Sequence, residues 1–183
     1  SDYFKIGCAC AGSEFAQGAT KDLIKKHYNS MTLGNELKPD SVLDLALSQK
    51  YVAETGDDTM PQISLNEADE MLKFAGENKI PVRGHVLVWH SQTPDWFFKE
   101  NFDPNGAWVS KDKMTKRLEN YIKTVMETLA KDYPDVEFYA WDVVNEAASD
   151  AGTIRDAGSN NEVNGQSAWV KVYGDQSYIP LAF

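Results

Sequence analysis

The sequence has few cysteines and an excess of acidic over basic residues. Its only cysteines are Cys8 and Cys10, and 18 Lys+Arg stand against 28 Asp+Glu, which gives a net charge of −10. Because nucleic acids and anionic lipid surfaces attract basic proteins, this balance argues against both as partners. A disulfide between cysteines two positions apart would close a strained ring, and none of the three histidines pairs with them at metal-ligand spacing. We therefore expect two buried free thiols.

Long apolar runs and glycine-rich phosphate loops are also missing. No run approaches the roughly 18 residues that a membrane span requires, so we expect no membrane partner. No Gly-rich fingerprint follows a predicted strand, which lowers the case for a nucleotide site. What is present is typical of one globular domain: 183 residues, 42% hydrophobic and 25% charged, with 5 Trp, 8 Tyr and 8 Phe that could pack against a neutral ligand.

Hydrophobic patterning predicts four alternating strands and helices. The predicted strands, all expected to be buried, span 6–10, 31–33, 81–89 and 138–144. Residues 22–28 are predicted to be the end of a first helix, and further helices are predicted over 64–78 and 111–131. A last helical stretch follows a loop over 149–166 and reaches Phe183. Ser64 and Glu67 have the spacing of a capping box, and residues 54–62 have the composition of a loop. This β-α order predicts a parallel sheet in an α/β protein, either doubly wound or a barrel.

Polar residues gather just after these strands, where barrel enzymes build their sites. Asn35 follows the second strand, His90 and Gln92 follow the third, and Asn145 and Glu146 follow the fourth. These positions fit a barrel enzyme, but they do not by themselves separate a barrel from a doubly wound sheet.

Glu146 is the strongest candidate for chemistry. Burial against neighbouring aromatic rings would raise its pKa and suit it to act as a general acid, and the amide of Asn145 could hold a sugar hydroxyl. The alternative is that Glu146 only caps or solvates its loop. Asp142 lies within the strand, where a charge needs a partner, so we expect a structural role for it. On the third strand His85 and Trp89 are expected to share a face, although a single strand histidine is more often a core residue.

Three segments together resemble one family. Residues 34–38 (GNELK), 84–96 (GHVLVWHSQTPDW) and 141–147 (WDVVNEA) are similar in sequence, order and spacing to the family 10 glycoside hydrolases, the endo-β-1,4-xylanases. The resemblance covers nearly the whole chain. It implies a TIM (β/α)8 barrel of which this chain supplies about the first four β/α units, so that residues 1–183 would form the N-terminal half of one catalytic domain.

The resemblance also implies roles for individual residues. Glu146 matches the general acid/base, and the substrate contacts would come from Asn35, Lys38, His85, Trp89, Gln92 and Asn145. Among these, Asn145 would bind the 2-hydroxyl of the reacting sugar and Trp89 would form an aromatic wall. Gly34 departs from the family pattern, in which many members carry Glu, so one hydrogen bond to an outer sugar would be lost.

The implied activity is retaining hydrolysis of internal bonds in xylan and xylo-oligosaccharides, outside the cell and without a cofactor. A retaining enzyme also needs a nucleophilic carboxylate. In this family it lies on the seventh strand in a Thr-Glu-Leu-Asp-like context that this sequence does not contain. We therefore expect a further partner, the C-terminal half of the barrel. The alternatives are a non-catalytic xylan-binding half-barrel and a related β-glycosidase that acts on another β-1,4-glucan.

Overall fold

The computed structural model describes residues 3–160 and 165–183. In this part of the chain four parallel strands form one sheet in chain order, which confirms the predicted α/β architecture. The strands are β1 Gly7–Cys10, β2 Ser30–Leu33, β3 Val82–Trp89 and β4 Phe138–Asn145.

Helices follow every strand along the chain. They are α1 Gly12–Phe15, α2 Gly18–His27, α3 Pro39–Val42, α4 Leu45–Thr55, α5 Asp69–Asn78, α6 Lys111–Asp132, α7 Ala168–Tyr173 and α8 Tyr178–Ala182. Two short 3₁₀ turns, Asp95–Phe98 and Glu100–Phe102, lie between β3 and α6. The predicted succession of strand and helix is therefore correct, while the helical segments are more numerous than the sequence pattern suggested.

Helix α6 shows how the apolar pattern builds the core. Ser110 caps it by accepting a hydrogen bond from the Lys113 N–H at 3.3 Å. Its buried stripe recurs every three to four residues and consists of Met114, Leu118, Tyr121, Val125 and Leu129. The opposite side carries many charges. Over residues 3–160 and 165–183, no helix combines the length and the apolar character needed to cross a membrane.

A buried arginine fastens the segment after β3 to the loop after α4. Arg117 is fully buried on α6 and donates to the carbonyls of Phe97 at 2.7 Å and Lys99 at 2.8 Å. Its Nη2 binds the carboxylate of Asp58 at 2.9 Å. Burial lowers the pKa of Arg117 to about 10, so the guanidinium stays charged at neutral pH beside its counter-ion.

The helix predicted over 64–78 begins late, and its capping box is wrong. Helix α5 starts at Asp69, because the segment before it is held in an extended pair. Leu43 and Ile63 form an antiparallel bridge, and the Ser64 N–H donates to the Val42 carbonyl at 2.9 Å. Tertiary pairing thus overrides the local capping signal.

The expectation that every strand is buried also needs correction. Gly7 and Ala9 of β1 are exposed and most of β4 is half-buried, because β1 and β4 are the two edges of the described sheet. Cys8 and Cys10 are both free thiols, as expected, but only Cys10 is buried. Burial raises the pKa of Cys10 to about 11, which keeps it a neutral thiol.

Helices α3 and α4 were not predicted, and the last helical stretch is two helices. Helix α4 extends to Thr55, inside the predicted loop, and ends at Gly56 with φ +75°, a left-handed conformation that glycine adopts without a steric cost. Gly174, also at φ +75°, ends α7 in the same way before α8 begins.

Candidate active site

Side chains from the end of β3 and from the segments that follow β2 and β3 meet at the carboxyl ends of these strands. The ammonium of Lys38 donates to Asn35 Oδ1 at 2.8 Å and to Gln92 Oε1 at 2.6 Å, and it lies 5.0 Å from the ring centroid of Trp89. Lys38 is buried, so these contacts accept hydrogen bonds from its ammonium and direct its Nζ. We call these four residues the lysine cluster.

Glu36 holds the turn that carries this cluster. Its buried carboxylate accepts from the N–H of Asn35 at 3.0 Å and from the N–H of Gly12, the first residue of α1, at 2.5 Å. The end of β2 is thereby fixed to the start of α1. Sequence reasoning gave Glu36 no role of its own.

Gly34 lies where the backbone packs closely. Its N–H donates to the Cys10 carbonyl at 2.8 Å, and a Cβ at this position would lie 3.1 Å from the backbone of Cys10 and Ala11. A larger residue at 34 would therefore press on the end of β1. The glycine that departs from the family pattern suits this close approach.

Glu146 stands directly after β4 and next to the lysine cluster. The indole N–H of Trp89 donates to Glu146 Oε2 at 2.9 Å, and His90 Nδ1 lies 4.0 Å from the same oxygen. The side chain of Glu146 is 52% exposed, so the expected burial against aromatic rings is not present in the described residues. Trp89 meets the carboxylate with its polar edge.

Asn145 is placed by the pairing of β3 with β4. The register shifts by one residue between His85 and Val88, and Trp89 consequently lies opposite Asn145 rather than opposite Glu146. The half-buried amide of Asn145 is therefore at the same level of the sheet as the indole.

Asp142 is paired, as the sequence led us to expect. Its Oδ2 lies 3.0 Å from His85 Nδ1, and its Oδ1 accepts from Arg83 Nε at 3.0 Å. Burial raises the pKa of the Asp142 carboxyl, but hydrogen bonds from Arg83 and His85 outweigh it and leave the pKa below its usual value. The ionised carboxylate favours the His85 tautomer with a proton on Nδ1. The ring of His85 lies 6.1 Å from that of Trp89.

Arg155, in the loop after β4, also reaches Glu146 and was missed by sequence reasoning. Its Nε donates to the Glu146 carbonyl at 2.7 Å, and its Nη2 lies 3.7 Å from Glu146 Oε2. Arg155 is the single basic residue in the predicted loop 149–166, and this was the available signal.

Six of the seven predicted site residues thus lie at the carboxyl end of the sheet: Asn35, Lys38, Trp89, Gln92, Asn145 and Glu146. The seventh, His85, lies within β3, with its ring beside that of Trp89. All except Asn145 are connected by the contacts just given, and Asn145 joins them through the strand register. Their individual roles remain predictions. No group of three or more His, Cys, Asp or Glu within residues 3–160 and 165–183 is arranged to hold a metal ion.

Comparison with known proteins gives a match over the whole chain. The sequence profile of glycosyl hydrolase family 10 matches residues 1–183. Among curated relatives, the bifunctional endo-1,4-beta-xylanase XylA of Ruminococcus flavefaciens is 47% identical over 100% of this chain and 18% of its own length. Endo-1,4-beta-xylanase Y of Acetivibrio thermocellus is 44% identical over 100% of this chain and 17% of its own length.

Solved structures give the same result. The CBM22-1–GH10 modules of the Clostridium thermocellum xylanase Xyn10B, complexed with xylohexaose, match with a TM-score of 0.88 and 42% identity. The match covers 98% of this chain and 34% of that one. An endo-1,4-beta-xylanase from Caldicellulosiruptor owensensis matches with a TM-score of 0.70 and 35% identity, over 100% of this chain and 46% of that one. This chain therefore spans less than half the length of these relatives.

Proposed function

Because this chain belongs to glycosyl hydrolase family 10, whose fold is the TIM (β/α)8 barrel, we propose that it is the acid/base-bearing half of a retaining endo-β-1,4-xylanase. Residues 1–183 would supply the first four β/α units of the catalytic domain. The remaining strands, five to eight, would come from another polypeptide or another part of a longer chain. We refer to this chain joined to those strands as the complete barrel.

The observation that carries the proposal is the position of Glu146. It is a carboxyl group at the carboxyl end of the sheet, it accepts from Trp89 Nε1, and it adjoins a lysine cluster whose groups suit sugar hydroxyls. Neutral sugars are recognised by such planar polar groups together with aromatic faces. No metal or cofactor is required by this chemistry.

The reaction would take two steps. Glu146 first protonates the leaving glycosidic oxygen while a nucleophilic carboxylate attacks the anomeric carbon and forms a covalent glycosyl-enzyme. Glu146, now ionised, then removes a proton from the water that hydrolyses this intermediate. We place the nucleophile on strand seven, in the other half of the barrel, about 5–5.5 Å from Glu146.

The other predicted residues would bind the substrate. Asn145 would hold the 2-hydroxyl of the reacting xylose, and His85 and Lys38 would contact other hydroxyls of that sugar. Asn35 and Gln92 would contact the next sugar, with Trp89 as the wall between them and Glu146. Hydrogen bonds to the reacting sugar strengthen as the oxocarbenium-like transition state forms, so they would act on turnover as well as on binding.

The names of the relatives support xylan and xylo-oligosaccharides as substrates. Since xylan is a polymer too large to be taken up intact, we also propose that the complete barrel acts outside the cell. Recovery of the protein from the culture medium rather than from the cells tests this part.

The test of the function is release of reducing sugar by the complete barrel from xylan and from a soluble cellulose, side by side. We expect rapid release of short xylo-oligosaccharides from xylan and little product from the cellulose. Faster hydrolysis of the cellulose would favour a related β-glycosidase. Retention of xylan on the protein without release of any sugar would favour a binding module.

A further inference from the structure

The backbone of Glu146 is held in a conformation that needs external support. Its φ is +49°, in the left-handed region that residues other than glycine occupy only at an energetic cost. No regular strand pairing holds it, because β4 ends one residue earlier at Asn145. Something beyond the sheet must therefore fix the direction in which this carboxyl group points.

Arg155 supplies three hydrogen bonds at this place. Its Nε donates to the carbonyl of Glu146 at 2.7 Å, its Nη2 to the carbonyl of Ala148 at 3.3 Å and its Nη1 to the carbonyl of Gly165 at 3.3 Å. Its side chain is 10% exposed, compared with 52% for Glu146. A nearly buried guanidinium with carbonyl partners in three directions is rigid, since its donors form a planar fork.

The surrounding loop is shaped to fit this guanidinium. Glycine suits position 165 for two reasons: a Cβ there would lie only 3.0 Å from Nη1 of Arg155, and its φ of +61° is left-handed. Ala148 and Ile154 also form an antiparallel bridge. This bridge turns the loop after β4 back on itself and brings Arg155 next to Glu146.

We propose that Arg155 is a positioning residue for Glu146. Through the Glu146 carbonyl it fixes the backbone, and through the ion pair of 3.7 Å between Nη2 and Oε2 it fixes the carboxyl group. Proton transfer to the glycosidic oxygen depends on this placement, because a displacement of about 1 Å costs up to about 100-fold in rate. The inference rests on the acid/base role proposed for Glu146.

The test compares two kinds of substrate in the complete barrel. Arg155→Met keeps the length of the side chain but removes the donors, and Arg155→Lys keeps the charge but not the fork. A positioning role predicts that Arg155→Met lowers kcat/KM on xylan by about 10- to 100-fold. On an aryl xyloside with a dinitrophenolate leaving group, which needs no proton, the first chemical step should change little. Arg155→Lys should lose less on xylan.

The matched control is Ser149→Ala in the same loop. Ser149 Oγ lies 2.9 Å from Thr153 Oγ1 and bonds this hydroxyl rather than Glu146, so this variant perturbs the loop without touching the acid. Equal losses on the two substrates, or a loss in Arg155→Met no larger than in Ser149→Ala, would overturn the inference. Circular dichroism checks folding, and Arg155→Lys carries the comparison if Arg155→Met does not fold. An unsubstituted complete barrel that fails to cleave xylan contradicts the proposed function itself, and the inference with it.

Discussion

The indole N–H of Trp89 donates a hydrogen bond of 2.9 Å to Oε2 of Glu146, which links the end of β3 to the residue after β4. The same indole ring has the ammonium of Lys38 at 5.0 Å from its centroid. Trp89 is therefore both the apolar wall of the lysine cluster and a donor to the proposed acid. A substrate that lies against this ring would be brought beside the carboxyl group.

Substitution Glu146→Ala in the complete barrel should remove most activity on xylan. The loss on aryl glycosides with good leaving groups should be far smaller, because the first step then needs little protonation. Azide should partly restore the variant on the activated substrate by replacing the water that Glu146 no longer activates. Steady-state kinetics on both substrates check this, and equal losses would remove Glu146 from the acid role.

Trp89→Phe keeps an aromatic wall but removes the indole N–H. We expect kcat/KM on xylan to fall by about 10- to 150-fold, since a hydrogen bond to a charged group contributes about 1.5–3 kcal/mol. Trp108→Phe is the matched control, because the ring of Trp108 packs against Phe98 and under the ammonium of Lys99 rather than against Glu146. If both variants lose activity to the same extent, the hydrogen bond from Trp89 to Glu146 does not contribute to kcat/KM.

The sequence predicts the sheet, and the grouping of polar residues at the ends of its strands, for a physical reason. Apolar runs such as 81–89 and 138–144 are typical of strands in a covered sheet, and the helices between them require parallel pairing. The residues that follow the strands must therefore meet at the same end of the sheet. The sequence alone therefore groups Asn35, Gln92 and Glu146.

What the sequence does not predict depends on long-range contacts. The capping signal of Ser64 and Glu67 gives way to the pairing of Leu43 with Ile63. The hydrogen bond from Arg155 to the left-handed backbone of Glu146 crosses an irregular loop, and the sequence pattern does not predict the path of that loop. Local composition carries no information about such contacts. The polar residues at the strand ends could therefore be predicted, whereas Arg155 could not.

Asp142 and His85 should act as one unit. Asp142→Asn removes the charge that holds the Nδ1 proton of His85, and His85→Ala removes the ring itself. Each single variant should lower kcat on xylan, whereas the double variant should lose less than the sum, with a coupling of about 0.5–3 kcal/mol. Fully additive losses would mean that the carboxylate does not act through His85. A rise in KM alone would show that His85 binds the substrate uniformly and does not face the reacting sugar.

Asp58→Asn should destabilise the complete barrel in a pH-dependent way. Burial raises the pKa of the Asp58 carboxyl, but the Asn101 N–H, Lys113 and Arg117 outweigh it, so the folded pKa lies below its usual 3.8. The stabilisation is therefore complete above about pH 4 and disappears as the pH falls through the folded pKa.

At pH 7 the variant leaves buried Arg117 without its counter-ion, which should lower the free energy of unfolding by about 3–5 kcal/mol. Urea unfolding should show this difference at pH 7 and a smaller one at pH 3. Asp103→Asn, which changes an exposed aspartate in a local turn, should have little effect at either pH. A difference that does not vary with pH would exclude the ion pair as its cause.

The last prediction concerns the edges of the sheet. In the described residues β1 and β4 each pair with one neighbour, and exposed strand edges leave N–H and C=O groups without partners from the sheet. Beside β4 a cavity of about 450 Å³ is lined by apolar side chains that include Met126, Leu129, Phe138 and Trp141, where a further strand and helix could pack.

We therefore expect the 183-residue chain, expressed alone and shown to be monomeric by light scattering, to have no xylanase activity. Adding a polypeptide that supplies strands five to eight should restore activity, and the same polypeptide with its nucleophilic Glu changed to Ala should bind without restoring it. A soluble monomer that cleaves xylan unaided would place the nucleophile among these 183 residues and would refute the half-barrel proposal.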